Sequence, residues 1–261
     1  VINLALLRSI LAEAGAIAMA GWPGAEGEHK PLDIWEKSAG DPVSSADIAV
    51  DTFLRARLTQ LLPAAGWLSE ETADSPVQRS GDLIWLVDPI DGTRDYIRGR
   101  AGWAISVALV SGGRPLIGML AAPARGEFWE AQAGQGAWLN NAPIHASRRG
   151  ELPGARVPAK ALPREDADLT IVDQPNSIAL RIAMVADNRA DLVATLRWGY
   201  EWDIGAAALI AREAGAAVTD AFGRTLAFNK RDPRAFGVIV CAPEMHGAAV
   251  ERLAERAERL V

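Results

Sequence analysis

The 261-residue chain is 49% hydrophobic, enough to fill one large domain or two modest halves. Its 27 Lys and Arg against 33 Asp and Glu give a net charge of −6, which argues against a nucleic-acid polymer as partner, because binding a phosphate backbone needs a basic field. Cys241 is the only cysteine, so no intrachain disulfide can form, which fits a reducing, cytoplasmic setting; the three histidines (His29, His145, His246) are isolated in sequence and argue against a zinc site of Cys and His ligands.

Residues 3–20 place apolar side chains at helical spacing, interrupted by Arg8 and Glu13, and predict an amphipathic helix that stops at Gly21-Trp22-Pro23-Gly24. No apolar run approaches the roughly 20 residues of a bilayer span, and the basic start of a signal peptide is missing. Residues 22–43 read as a polar loop carrying Trp35 and Lys37. A second helix is expected over 44–62, with Ser44 or Ser45 as its cap and Pro63 after its end. The stretch 66–72 (GWLSEET) reads as a short strand running into two acids, and 82–87 (DLIWLV) as a buried strand. Strands joined by Gly-Gly, Gly-rich and Asn-Asn turns follow as far as residue 144. The Pro-, Gly- and charge-rich segment 147–166 is the best internal boundary, giving an N-terminal half 1–150 and a C-terminal half 151–261. Strands near 169–172, 191–196, 216–219 and 236–241 and helices near 176–187, 203–214 and 244–259 complete an α/β (layered α+β) reading.

Acids sit at the ends of these elements. Glu70 and Glu71 follow an apolar strand, Asp88 follows another, Asp91 comes three residues later, and Asp203 opens an Ala-rich helix. If 66–69 and 83–87 are neighbouring strands, Glu70 and Asp88 leave the sheet at one edge. Unpaired acids at close range repel; a divalent cation removes that cost, and an all-oxygen set points to magnesium. Pro89 stiffens the turn that turns the Ile90 carbonyl toward the acids. Gly92-Thr93, at a helix start, offers backbone N–H groups to an anion such as phosphate. The Thr93 hydroxyl could orient an attacking water with Glu70 as proton acceptor. Each residue alone also has an ordinary reading: Asp47, Asp88, Asp91 and Asp203 as helix caps, Glu70-Glu71 as a solvated turn. Their joint occurrence favours metal-assisted hydrolysis of a phosphate ester.

PVSSAD (42–47), LSEET (68–72), WLVDPIDGTRDYIRG (85–99) and EWDIGAAALIAREAGAAVTD (201–220), in this order, resemble the magnesium-dependent, lithium-sensitive phosphatases of the inositol monophosphatase superfamily over nearly the whole chain. The resemblance implies an αβαβα sandwich of the sugar-phosphatase type, with the site between the halves. It implies two or three Mg2+ held by Glu70, Asp88, the Ile90 carbonyl, Asp91 and Asp203, with Asp47 serving a third ion through water. Thr93 with Glu70 would activate water, Gly92 and Thr93 would receive phosphate, and Lys37 matches a basic position near the metals. Arg94 after the Gly-Thr step, and Arg197 where inositol-specific members carry a Glu, look more like the CysQ-type 3′(2′),5′-bisphosphate nucleotidases; Arg197 is otherwise a plain surface residue. Trp198 beside it could stack on an adenine ring. The segment QPNSIAL (174–180) departs from the Gly-Ser/Thr pattern of many relatives, and Ser177 is the expected substrate contact there. A small phosphorylated metabolite is therefore the expected partner. An inositol or sugar monophosphatase, or a metal- or phosphate-binding module without turnover, are the alternatives, and a homodimer is one of the open oligomeric states.

Overall fold

Asn3 starts the first helix by accepting the Leu6 amide at 3.1 Å, and α1 runs Leu4–Gly21. The structure, a computed structural model, describes residues 2–24, 31–38, 40–72, 79 and 81–261; His29 lies outside them. Leu7, Ile10, Leu11, Ala14 and Ala18 form one buried stripe of α1, packed beside α2 (Ser45–Leu61). Among the described helices α1 alone is long and apolar enough by composition to cross a membrane, and this stripe is instead part of the protein core.

Both helices cover one face of a seven-stranded sheet ordered β3 (Gly66–Ser69), β4 (Leu83–Asp91), β5 (Ala104–Ser111), β6 (Arg114–Ala122), β7 (Glu127–Gln132), β8 (Ala137–Leu139) and β9 (Ala142–Pro143). Only β3 and β4 are parallel. The two-residue period of β4 divides its side chains: Trp85 and Val87 enter the core under α1 and α2, whereas Ile84 and Leu86 enter the core on the other face. There α4 (Ile178–Ala186) and α5 (Glu201–Glu213) form the middle layer. Beyond them lies an antiparallel sheet ordered β12 (Leu192–Tyr200), β14 (Arg234–Cys241), β13 (Ala217–Thr219). Its outer face, with Leu192, Ile239 and Cys241, is covered by Met245, Ala249 and Leu253 of α6 (Pro243–Glu258). The layers are helix, sheet, helix, sheet, helix, as the resemblance implies. The largest core joins Leu86 and Trp129 of the first half to Ile182, Ala207 and Val240 of the second.

Residues 22–43 are not all loop: β1 (Ile34–Ser38) and β2 (Asp41–Ser44) form an antiparallel hairpin. Every residue of β1 is exposed, so the alternation that betrays a half-buried strand is absent. The short β10 (Arg156–Pro158), parallel to β11 (Thr170–Val172), lies inside the Pro- and Gly-rich boundary segment for the same lack of pattern. β3 stops at Ser69, before the two acids, whereas β4 continues through Asp88-Pro89-Ile90-Asp91 as a bulged extension.

Candidate active site

The parallel register pairs Ser69 with Val87, so the next residues, Glu70 and Asp88, emerge side by side, and the Glu70 amide donates to the Val87 carbonyl at 3.2 Å. After burial itself, the charge of Glu70 is the largest influence raising the pKa of Asp88. The bulge lets one Asp88 oxygen accept the Ile90 amide at 3.0 Å, and the Ile90 carbonyl lies 3.0 Å from the Thr93 hydroxyl. Gly92 makes the turn into α3 (Thr93–Ile97) at φ +99°. A side chain at Gly92 would also collide with the Gly102 carbonyl and the Ser177 amide, so both conformation and space require glycine.

Asp91 points across to the start of α4. It accepts from the Ser177 hydroxyl at 2.5 Å and the Ala179 amide at 2.7 Å. Ser177 is fully buried and also caps α4 through the Leu180 amide at 2.9 Å. It thus faces Asp91 and does not line the cleft, where Asn176 and Ile178 do.

The capping reading of Asp47 and Asp203 holds, and each also keeps an oxygen apart from its cap. Asp47 uses one oxygen to cap α2, accepting the Ser44 amide at 2.8 Å, while its second oxygen stands 3.1 Å from the Thr93 hydroxyl. Asp203 likewise accepts the Tyr200 amide at 2.9 Å at the start of α5. Thr93 is therefore hydrogen-bonded to Asp47; among the described residues it makes no such bond to Glu70. Lys37, on the hairpin, pairs with Glu71 and lies 3.4 Å from Glu70. Arg94 donates to the Gly40 carbonyl of the same hairpin, and Arg197 is exposed on β12.

One residue had no role in the sequence reading. Asp51 lies one turn after Asp47 on α2, is buried, and accepts from the hydroxyls of Ser69 and of Thr72, the latter at 2.9 Å. It anchors both ends of the loop that carries Glu70 and Glu71. The i, i+4 spacing of two acids on one helix was the available signal.

Glu70, Asp88, Ile90, Asp91, Gly92, Thr93, Arg94, Arg197 and Asp203 all line one cleft of ≈ 690 Å³. Burial raises the pKa of Asp88 well above the usual carboxylate range, and the charges of Glu70, Asp91 and Asp203 add to this. Burial, then Asp91, does the same to Asp203. Burial also raises Glu70, Asp91 and Asp47, and carries Glu71 to about 7 despite Lys37. Burial works against the Lys37 ammonium, but Glu70 and Glu71 outweigh it and raise its pKa.

This all-oxygen set, in which burial and then neighbouring charge oppose ionisation, fits a hard divalent cation. Among the described residues no three acidic, His or Cys side chains enclose an ion as they stand, so binding would draw the acids closer and favour their ionised forms. Carboxyls with raised pKa stabilise the fold when protonated, and that contribution is lost as pH rises through the folded value, about 7 for Glu71. In chelator, the melting temperature should fall as pH climbs through this region, and added Mg2+ should raise it most at the alkaline end. Thermal melts with and without Mg2+ read this directly; a Mg2+ shift largest at acid pH would contradict it.

Residues 4–260 match the family described as the inositol monophosphatase family. The chain belongs to the inositol monophosphatase family. Within it, a 3′(2′),5′-bisphosphate nucleotidase CysQ of Escherichia coli O157:H7 is 31% identical over 232 residues, covering 84% of this chain and 91% of the relative. A Nus factor SuhB of Xylella fastidiosa is 34% identical over 204 residues, 72% of each chain. The solved IMPase structure from Thermotoga maritima superposes with a TM-score of 0.83 at 25% identity, covering 99% of both chains. As a member of this generally metal-dependent family the protein is a phosphatase acting on small phosphorylated substrates.

Proposed function

We propose that this phosphatase is a cytoplasmic, magnesium-dependent 3′(2′),5′-bisphosphate nucleotidase. The observation that carries the substrate is Arg197. It is exposed, lines the cleft, and has no carboxylate partner among the described residues, while its charge reaches Asp203 and the buried Arg181. An exposed guanidinium in the cleft, with a second guanidinium within its electrostatic reach, suits a second phosphate better than a neutral polyol. The similarity to the CysQ nucleotidase supports the same reading.

In this proposal Glu70, Asp88, the Ile90 carbonyl, Asp91 and Asp203 hold two or three Mg2+, with Asp47 at the edge of the set. Bound magnesium supplies charge neutralisation at the phosphate oxygens and makes water acidic enough to attack at neutral pH. Thr93 donates its hydroxyl proton to Asp47, which turns an oxygen lone pair toward the cleft to receive a proton of the attacking water. Glu70 is a second proton acceptor. The amides of Gly92 and Thr93 receive phosphate oxygens, because the first residues of a helix have no intrahelical acceptor. Arg94 steadies the hairpin at the cleft mouth. Ser177 acts through Asp91, holding its carboxylate rather than substrate.

Arg197→Glu tests the substrate. Loss of a charge-assisted contact of about 1.5–3 kcal/mol should lower kcat/KM for adenosine 3′,5′-bisphosphate at least about tenfold. Inositol 1-phosphate has no second phosphate, so the ratio of the two substrates should move toward it. An unchanged ratio removes Arg197 from the substrate site. Failure of the unmodified protein to hydrolyse either ester, with magnesium present, would favour a binding role of the kind the name Nus factor suggests for the SuhB relative.

A further inference from the structure

We propose that Trp35 and Trp198 form the two walls of a slot for a planar heteroaromatic base, the base of the substrate; this rests on the nucleotide reading above. The chain has nine tryptophans. Trp22, Trp67, Trp85, Trp103, Trp129 and Trp202 are buried and Trp138 is half-buried. Only Trp35 (44% exposed) and Trp198 (51% exposed) stand open, and both line the cleft that holds the acids. Large aromatic surface left in water next to a charged site is costly and is the kind of surface a ligand covers.

The two rings approach from different elements. Trp35 and Lys37 both line the cleft from β1, Lys37 standing at the bulge of the hairpin. Lys37 reaches Glu70 and Glu71, so the hairpin borders the cleft on the Glu70 side. Trp198 lines the same cleft from β12, the strand that ends at Tyr200 just before α5 and Asp203. Phe236 packs edge-on to Trp198 at 5.4 Å, and the Arg234 guanidinium lies 5.2 Å from its ring centroid. These contacts fix the ring and leave half of its surface open. Tyr200, the other exposed aromatic of β12, is already stacked on Trp202 at 4.4 Å and 5° and is not a wall.

The chemistry selects a base over an aliphatic group. The cleft around the two indoles is lined by Lys37, Asp41, Arg94 and Arg197, which would penalise a purely apolar chain. A base offers a π face to each indole and polar edges to these charges. Held between the walls, it leaves the sugar and its phosphates over Glu70, Asp88 and Asp203, with Arg197 beside the base for the phosphate that is not cleaved.

The test is direct binding to the full-length protein in Mg2+, by calorimetry, of adenosine 5′-monophosphate and of ribose 5-phosphate, which differ only in the base. One stacked ring is worth roughly 5- to 150-fold in affinity. The ratio of the two dissociation constants should be about tenfold or more for the unmodified protein. It should fall several-fold in Trp35→Ala and in Trp198→Ala, and return in the Trp→Phe variants, which keep a ring. A ratio near one in the unmodified protein overturns the slot, even if adenosine 3′,5′-bisphosphate is hydrolysed and the nucleotidase reading stands. A ratio that survives Trp35→Ala overturns the hairpin wall. Collapse of the ratio in both alanine variants supports the slot, even if bisphosphate hydrolysis is absent and the reaction assigned above is wrong.

Discussion

Asp88→Asn is expected to lower kcat by about 10²-fold or more while the melting temperature in chelator holds or rises. The two effects have one cause. Asp88 is buried among Glu70, Asp91 and Asp203, and its pKa is raised by burial and by their charges. As a carboxylate it costs folding energy and, in the proposed mechanism, it supplies charge to a cation. Asparagine removes that charge and keeps the local bond: its oxygen can accept the Ile90 amide, now 3.0 Å away, and its amide group can donate toward the neighbouring Glu70, whose charge otherwise opposes that of Asp88. The usual penalty for breaking a buried polar network is therefore avoided. Asp91→Asn is a poorer probe. Among the described residues the hydrogen-bond partners of Asp91 are all donors, the Ser177 hydroxyl and the Ile178 and Ala179 amides, and an amide group there would meet another donor. Turnover close to normal in Asp88→Asn, or a large fall in its melting temperature, would remove Asp88 from the proposed ligand set.

How far the sequence foretold this arrangement depends on the kind of contact. The Glu70–Asp88 pair was legible because both acids follow apolar runs of strand length, and one parallel register then fixes their proximity. The caps at Asp47 and Asp203 were legible because capping is a local rule. Contacts between distant segments were not. Nothing near Asp91 announces that it meets Ser177, 86 positions later; QPNSIAL read as a substrate-binding segment because its hydroxyl is visible in sequence and its partner is not. The hairpin was missed because β1 buries nothing. Asp51 was missed because a buried acid on a helix looks like a surface acid until Ser69 and Thr72 fold against it. Local pattern fixes which elements bear the acids; long-range packing fixes which oxygen remains free for chemistry.

That distinction bears most on Thr93. Thr93→Val should reduce kcat by about 10²–10⁴-fold with a much smaller change in KM, the range expected when a positioned proton-transfer group is lost. Valine keeps the β-branched shape at the first residue of α3, so the backbone that turns at Gly92 has no steric reason to move. What disappears is one hydroxyl standing between the second oxygen of Asp47, at 3.1 Å, and the Ile90 carbonyl, at 3.0 Å. Asp47 still accepts from Ser44, so α2 keeps its cap, and the stability cost should be no more than about 1–2 kcal/mol for one lost hydrogen bond. Thr93→Ser retains the oxygen and should retain most of the rate. If Thr93 serves only to brace Asp47 against Ile90, valine will lower the melting temperature and leave kcat within a few-fold. Should kcat collapse while the melting temperature scarcely moves, the hydroxyl acts on the reacting water. The pH profile separates the remaining choice of base. Burial raises the pKa of both Asp47 and Glu70, but Glu70 also feels the Asp47 charge. Asp47→Asn on the Thr93→Val background should then cost little more if Thr93 and Asp47 act as one unit, and should multiply the loss if Asp47 works without the hydroxyl.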